Sequence, residues 1–198
     1  MNIEIMEEQV KVLEELGIQV PEEAVKALGQ AMEGDSHSRI WIEGYPYYAL
    51  LTAVGAPEWD EETWQVTGFS DQVFWFDWEA FDLEGTYRDI LAGIDAMYGE
   101  SCVVTDIRVD ASEVDWEKGS GRIVIRYQVN GAPQECTVAM HDDWIDPIFL
   151  EYINRGLKAA GVTERVYAME DGGHGCVLFF RYKEWAKKFE KKTGVRLE

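Results

Sequence analysis

Between residues 102 and 129 the chain alternates apolar and polar side chains in two successive runs, and this pattern constrains the fold more than any other feature. In the first run, Cys102 to Asp110, Val103, Thr105, Ile107 and Val109 alternate with Val104, Asp106, Arg108 and Asp110. In the second, Arg122 to Val129, Ile123, Ile125, Tyr127 and Val129 alternate with Val124, Arg126 and Gln128. A period of two marks β-strands with one buried face. Asn130-Gly131 supplies the two positive-φ positions of a tight hairpin and leads into a third strand, Gln134 to Met140. Upstream, Thr86 with Asp89 three residues on reads as a capping box for a helix carrying Ile90, Leu91, Ile94, Met97 and Tyr98. Downstream, Asp146-Pro147 opens a helix with Leu150, Ile153 and Leu157. A strand pair follows, Arg165 to Met169 and Cys176 to Arg181, around Asp171-Gly172-Gly173. The last helix sets Tyr182, Trp185, Ala186 and Phe189 on one face. The order from Thr86 is α-β-β-β-α-β-β-α, dominated by hairpins, which predicts a mainly antiparallel sheet with packed helices, an α+β fold.

The first 85 residues read differently. Met6, Val10, Leu13 and Leu16 have helical spacing over residues 6–16. A second helix starts at Pro21, with Glu22 and Glu23 at the positive end of its dipole. Gly34 to Arg39 reads as a polar loop, Trp41 to Pro46 as turn-prone, Tyr47 to Val54 as a third helix and Glu58 to Glu62 as an acidic link. Trp64 to Thr67 and Val73 to Trp78 then read as an aromatic strand pair. The expected organisation is an acidic helical segment with that strand pair over residues 1–85 and an α+β unit over 86–198, packed as one body. No run approaches the roughly 18 apolar residues of a membrane helix, and the N-terminus lacks the basic start of a secretory signal. Three widely spaced cysteines, Cys102, Cys136 and Cys176, fit reduced thiols in a cytoplasmic protein better than a disulfide framework.

Charge divides the chain unevenly. Residues 1–100 hold 22 acidic against 4 basic side chains, a net of −18; residues 101–198 hold 16 against 14, a net of −2. General solubility or salt adaptation would not confine the excess to one half. The basic terminal helix, with Lys183, Lys187, Lys188, Lys191 and Lys192, is expected to dock on the acidic half, but residues 181–198 carry a net of only +4. The remainder is either a solvated face or a surface that meets a basic partner. Nucleic-acid binding is disfavoured, because phosphate contacts need a basic surface. Binding of the terminal helix to anionic lipid is opposed by a net charge of −20.

The densest mixture of aromatics and acids runs from Phe69 to Phe81. Asp71, Trp75, Asp77, Trp78, Glu79 and Asp82 are the candidate partner-binding residues, with Trp75 and Trp78 as anchors and the acids steering approach. The bland reading is a strand whose aromatics are core and whose acids are solvated. A rival site joins His141, Asp142, His174 and Cys176, with Cys176 as nucleophile and a histidine as base, or His141, Asp142 and His174 around a metal. Neither has a recognised spacing, and a small cysteine at the head of an apolar strand is also what a core requires. Phosphate-loop, His-Glu-x-x-His, Cys-x-x-Cys and Gly-x-Ser-x-Gly motifs are absent. No cofactor or metal is expected. Tryptophans beside acids would also suit a glycan-binding module.

No stretch matches a family motif residue by residue. In general character, as a small acidic α+β chain, it is similar to bacterial immunity proteins. That resemblance implies a non-enzymatic protein that neutralises a basic partner such as a cationic toxin or nuclease. The alternatives are a small enzyme built on the His/Asp/Cys site and the glycan-binding module.

Overall fold

The computed structural model describes residues 3–60, 62–63, 65–99, 103–170 and 174–198. Trp64, Cys102 and Asp171-Gly172-Gly173, which enter the expectations above, lie outside the described residues. Four helices come first: α1 (Ile3–Glu15), α2 (Glu22–Gly34), α3 (Ser36–Gly44) and α4 (Pro46–Gly55). Three short strands follow, β1 (Glu58–Trp59), β2 (Val66–Gly68) and β3 (Phe74–Asp77). Then come α5 (Leu83–Tyr98), β4 (Val104–Asp115), β5 (Ser120–Val129), β6 (Ala132–His141), α6 (Ile148–Ala159), β7 (Arg165–Glu170), β8 (Gly175–Arg181) and α7 (Lys183–Thr193). From α5 onward the order is the expected one. The strands form three antiparallel sheets, β1-β2, β3-β8-β7 and β4-β5-β6, and the fold is α+β.

The first half departs from the expectation in several places. The stretch read as a polar loop and turn is α3: Asp35 accepts hydrogen bonds from the Ser38 N–H (2.8 Å) and hydroxyl (2.9 Å), a side-chain cap that starts a helix. The acidic link contains β1, which pairs with β2. The two aromatic strands do not pair with each other, because β3 pairs instead with β8, from Phe74 opposite Leu178 to Asp77 opposite Gly175. Helix α5 begins three residues before Thr86, and its cap is Asp82, which accepts from the Gly85 N–H at 3.0 Å. In α5 an earlier acceptor at the turn displaced the capping box.

The sheet β3-β8-β7 is the middle layer, and strand parity explains why. On β8, Cys176, Leu178 and Phe180 point to one core with α5, α6 and the sheet β4-β5-β6, while Val177 and Phe179 point to a second core under α1–α4 and α7. On β3, Phe74 and Phe76 join the first core and Trp75 packs against the second. A strand buried on both faces reads as a continuous apolar run, as in Cys176 to Phe180. The free edge of β7 is closed by polar groups: the Asn154 side chain bonds both the N–H and the carbonyl of Val166 (2.9 Å each), and Ala168 exchanges two backbone bonds with Glu198 (3.0 and 2.9 Å).

Helix α7 docks on α1, as its charge suggested. Lys192 pairs with Glu15, Lys188 Nζ donates to the Glu15 carbonyl (3.0 Å), and the Trp185 indole N–H donates to the Leu16 carbonyl (2.7 Å). Lysines and α1 meet at the α1 C-terminus, where the helix dipole adds to the attraction. Among the described residues these pairs engage one carboxylate, so most of the acidic charge of the first half has no internal counterion.

The turn Asn130-Gly131 has φ of 49° and 78°, the left-handed pair that a two-residue hairpin demands. Within α5, burial pushes the Asp89 carboxyl up to about 6, against the pull of Arg88 and with a small push from Asp82. An unfolded aspartate titrates near about 3.9, so folding takes up a proton between those values and this group makes the fold less stable as pH rises through them. Asp89→Asn is therefore expected to raise the melting temperature at pH 7.5 by about 2 °C once solvent screening is allowed for. The gain should vanish toward pH 4. Paired thermal melts at the two pH values check this, and an equal gain at both would contradict it.

Candidate functional site: the loop end of the sheets

Three connections meet at one end of the molecule, the segment after β3, the β4–β5 hairpin tip and the β6–α6 loop, together with His174, which leads into β8. Backbone bonds hold them together. The Trp78 N–H donates to the His174 carbonyl (2.7 Å), Ala80 N–H to Asp143 (2.7 Å), Ile145 N–H to Trp78 (2.8 Å) and Asp142 N–H to Gly119 (3.0 Å). The β6–α6 loop is pinned by Asp146, whose carboxylate accepts from Ala139 N–H (3.2 Å) and Ile148 N–H (3.1 Å) and whose own N–H donates to the buried Tyr87 hydroxyl (3.0 Å).

This framework presents aromatic side chains to solvent. Phe81 is fully exposed, Trp116 is 58% exposed and Trp144 is 38% exposed. Trp144 is the centre of a small cluster. It bridges to Glu79 and to His141, its N–H donates to the His141 carbonyl (3.1 Å), and its indole meets the His174 ring edge-on at 5.0 Å. His174 Nδ1 lies 3.0 Å from Glu79 Oε2. Carboxylates flank these residues along the chain: Asp77 and Asp82 on either side of Glu79, Asp142 and Asp143 before Trp144, and Asp115 and Glu117 beside Trp116 at the hairpin tip. Among the described residues the ion pair to these carboxylates is Lys118 with Asp115 (2.5 Å), beside the contact of the His174 imidazole with Glu79. The Lys118 pair holds the Asp115 carboxyl below its usual range.

The expected site residues divide. Asp77, Glu79 and Asp82 lie at this end, Asp77 accepting from the Glu79 N–H (2.9 Å) and Asp82 capping α5. Asp71 lies at the opposite end of β3, close enough to the Arg181 guanidinium to favour its charge. Neither proposed anchor is an exposed ring. Trp78 is 5% exposed and packs edge-on against Phe76 at 4.7 Å, because Phe74, Phe76 and Trp78 share the inner face by strand parity. Trp75 faces the other core, half-buried, its indole N–H 3.3 Å from the Tyr48 hydroxyl.

The rival residues divide as well. His141 and His174 both touch Trp144, and Asp142, at φ 59°, turns its N–H to the hairpin tip. Cys176 is completely buried in the first core, out of reach of a substrate. Cys136 is buried too; burial pushes its thiol up to about 12, so it stays protonated and unreactive. Among the described residues no group of three or more His, Cys, Asp and Glu side chains is placed to hold a metal ion. The glycine before Cys176 has a packing reason, since a Cβ on Gly175 would collide with the Tyr48 hydroxyl and lie 2.9 Å from Trp75 Nε1.

An open depression of about 400 Å³ lies elsewhere, lined by Met97, Tyr98, Glu164, Phe180, Arg181 and Tyr182. Its Arg181 is spent on the carbonyls of Phe180 and Gln72 (2.9 Å each). No described helix is long and apolar enough to cross a membrane.

Trp116 and Trp144 were missed as site residues in the sequence. The available signal was a tryptophan beside acids inside a turn, Asp115-Trp116-Glu117 and Asp143-Trp144, where no strand parity calls for a large apolar side chain. The chain matches no family model, no curated protein and no solved structure in the comparisons made, so the geometry stands on its own.

Proposed function

We propose that the chain is a non-enzymatic binding protein for a basic protein partner and that the loop end of its sheets is the contact surface. The observation that carries this reading is the set of exposed aromatics, Phe81, Trp116 and Trp144, set among carboxylates with few internal cations. Aromatic anchors supply contact area and hot-spot energy. The acids supply steering and exclude acidic partners. A cationic toxin or nuclease, the partner implied by the likeness to immunity proteins, has the matching charge. The acids named from the sequence retain their role through Asp77, Glu79 and Asp82, and the anchors pass to Trp144, Phe81 and Trp116.

Steering raises association rates by about 10- to 1,000-fold at low salt. A basic protein captured on the immobilised wild type is expected to associate at least about tenfold more slowly in 0.5 M salt than in 20 mM salt. It should bind the Glu79→Gln/Asp142→Asn/Asp143→Asn triple variant much more weakly. Each replacement keeps side-chain shape, and asparagine tolerates the left-handed backbone at 142. A rate indifferent to salt, or equal binding to the triple variant, would sink the reading.

A further inference from the structure

We infer that Trp144, Glu79 and His174 form a seat for an arginine side chain of the partner, selective against lysine. This rests on the reading of the loop end as a surface for a basic protein.

Glu79 and Trp144 face each other as a cross-strand pair, so carboxylate and indole are presented side by side. The pairing of Glu79 Oε2 with His174 Nδ1 at 3.0 Å holds the carboxylate in place, and the imidazole stands edge-on to the indole at 75°. Among the described residues, the other carboxylate oxygen, Oε1, takes no hydrogen bond. All three side chains are partly open to solvent: the Glu79 and His174 side chains are 47% and 56% exposed and Trp144 is 38% exposed. An open carboxylate oxygen beside an aromatic ring matches the two faces of a guanidinium. Its plane stacks on the indole while its edge donates to the carboxylate. A lysine ammonium is a compact, strongly hydrated charge. It satisfies the carboxylate but gains little from the ring. The flanking Asp77, Asp142 and Asp143 raise the local concentration of either cation without distinguishing them. The choice between them therefore falls to Trp144.

Two peptides of equal charge test this, acetyl-(Gly-Arg)5-amide and acetyl-(Gly-Lys)5-amide, titrated onto the full chain at low salt and followed by isothermal titration calorimetry for wild type and every variant, with the Trp144 indole N–H signal in NMR locating the contact on wild type. The arginine peptide is expected to bind about threefold more tightly, the scale of one exposed cation–π contact. Trp144→Leu should bring the two peptides to parity while both still bind, and Trp144→Phe should restore part of the preference. Glu79→Gln, which leaves the ring in place, should weaken the arginine peptide more than the lysine peptide. Thermal melts confirm that each variant is folded. Equal affinity of the two peptides for wild type, or a preference that survives Trp144→Leu, overturns the arginine seat and leaves the basic-partner reading standing. Failure of both peptides to bind wild type overturns both.

Discussion

Replacing Phe179 by alanine is expected to lower the unfolding free energy by about 3–5 kcal/mol. Domains of this size have total stabilities of about 5–15 kcal/mol, so the loss is a large part of the whole. The reason lies in the position of β8. Phe179 is wholly buried on the helical face of the middle sheet, in ring contact with Trp185 at 5.3 Å and Phe189 at 5.1 Å. Those two residues belong to α7, which in turn holds the end of α1 through the Trp185 indole. An alanine at 179 removes the apolar floor beneath both helices and leaves a cavity that a rigid sheet cannot collapse to fill. Urea unfolding of wild type, Phe179→Leu and Phe179→Ala measures the effect, with leucine expected between the other two. A loss below about 1.5 kcal/mol for alanine would mean that β8 is not the shared wall of two cores.

Gly121→Ala is expected to cost about 2–4 kcal/mol, the sum of a strained backbone and an overpacked contact. Gly121 sits near the start of β5 at φ 141°, a conformation that side chains rarely adopt. A Cβ there would lie on the Glu113 carbonyl oxygen and 2.8 Å from Val114 Cα. Both obstacles are backbone of the facing strand, next to an irregularity in the β4–β5 register between Asp110 and Glu113. Neither can swing aside as a flexible side chain would. The hairpin tip that carries Trp116 lies directly beyond. The variant should therefore also weaken binding of the basic partner more than Ser120→Ala does, although residue 121 does not reach the partner. Denaturant unfolding gives the stability change, and the salt-dependent association assay gives the binding change. A variant as stable as wild type would show that the strand can shift to make room.

The elements after residue 83 were legible because local signals and tertiary demands agree there. Period-two alternation marked β4 and β5, Asn130-Gly131 marked the hairpin into β6, and Asp146-Pro147 marked the start of α6. Helix α3 was not legible. Its core contribution among the described residues is mainly Ile42, too thin a stripe over nine residues to declare a period, and its start depends on one capping aspartate. The partner of β3 was hidden for another reason. Nearness in sequence favours pairing with β2, but the apolar run of β8, about a hundred residues on, offers β3 a partner buried on both faces.

The site was legible only in part, and parity explains the division. In Phe74-Trp75-Phe76-Asp77-Trp78 the aromatics alternate between two cores, so the residues that looked most like anchors are consumed by folding. Glu79 and Asp82 sit just past the strand, where parity no longer requires burial, and they remain on the surface. Trp116 and Trp144 stand in turns far apart in sequence. Nothing local associates them with Glu79.

By itself the sequence determined the acidic excess of the first half, the strands with one wet face, the hairpins and the apolar stripes of most helices, because those depend on side chains a few residues apart. Tertiary structure alone decided which strand β3 would join, which face of it would be buried twice over and which aromatics would be left in solvent. These depend on free energies shared between segments as distant as residues 79, 144 and 174. Such segments meet only once the sheets have formed.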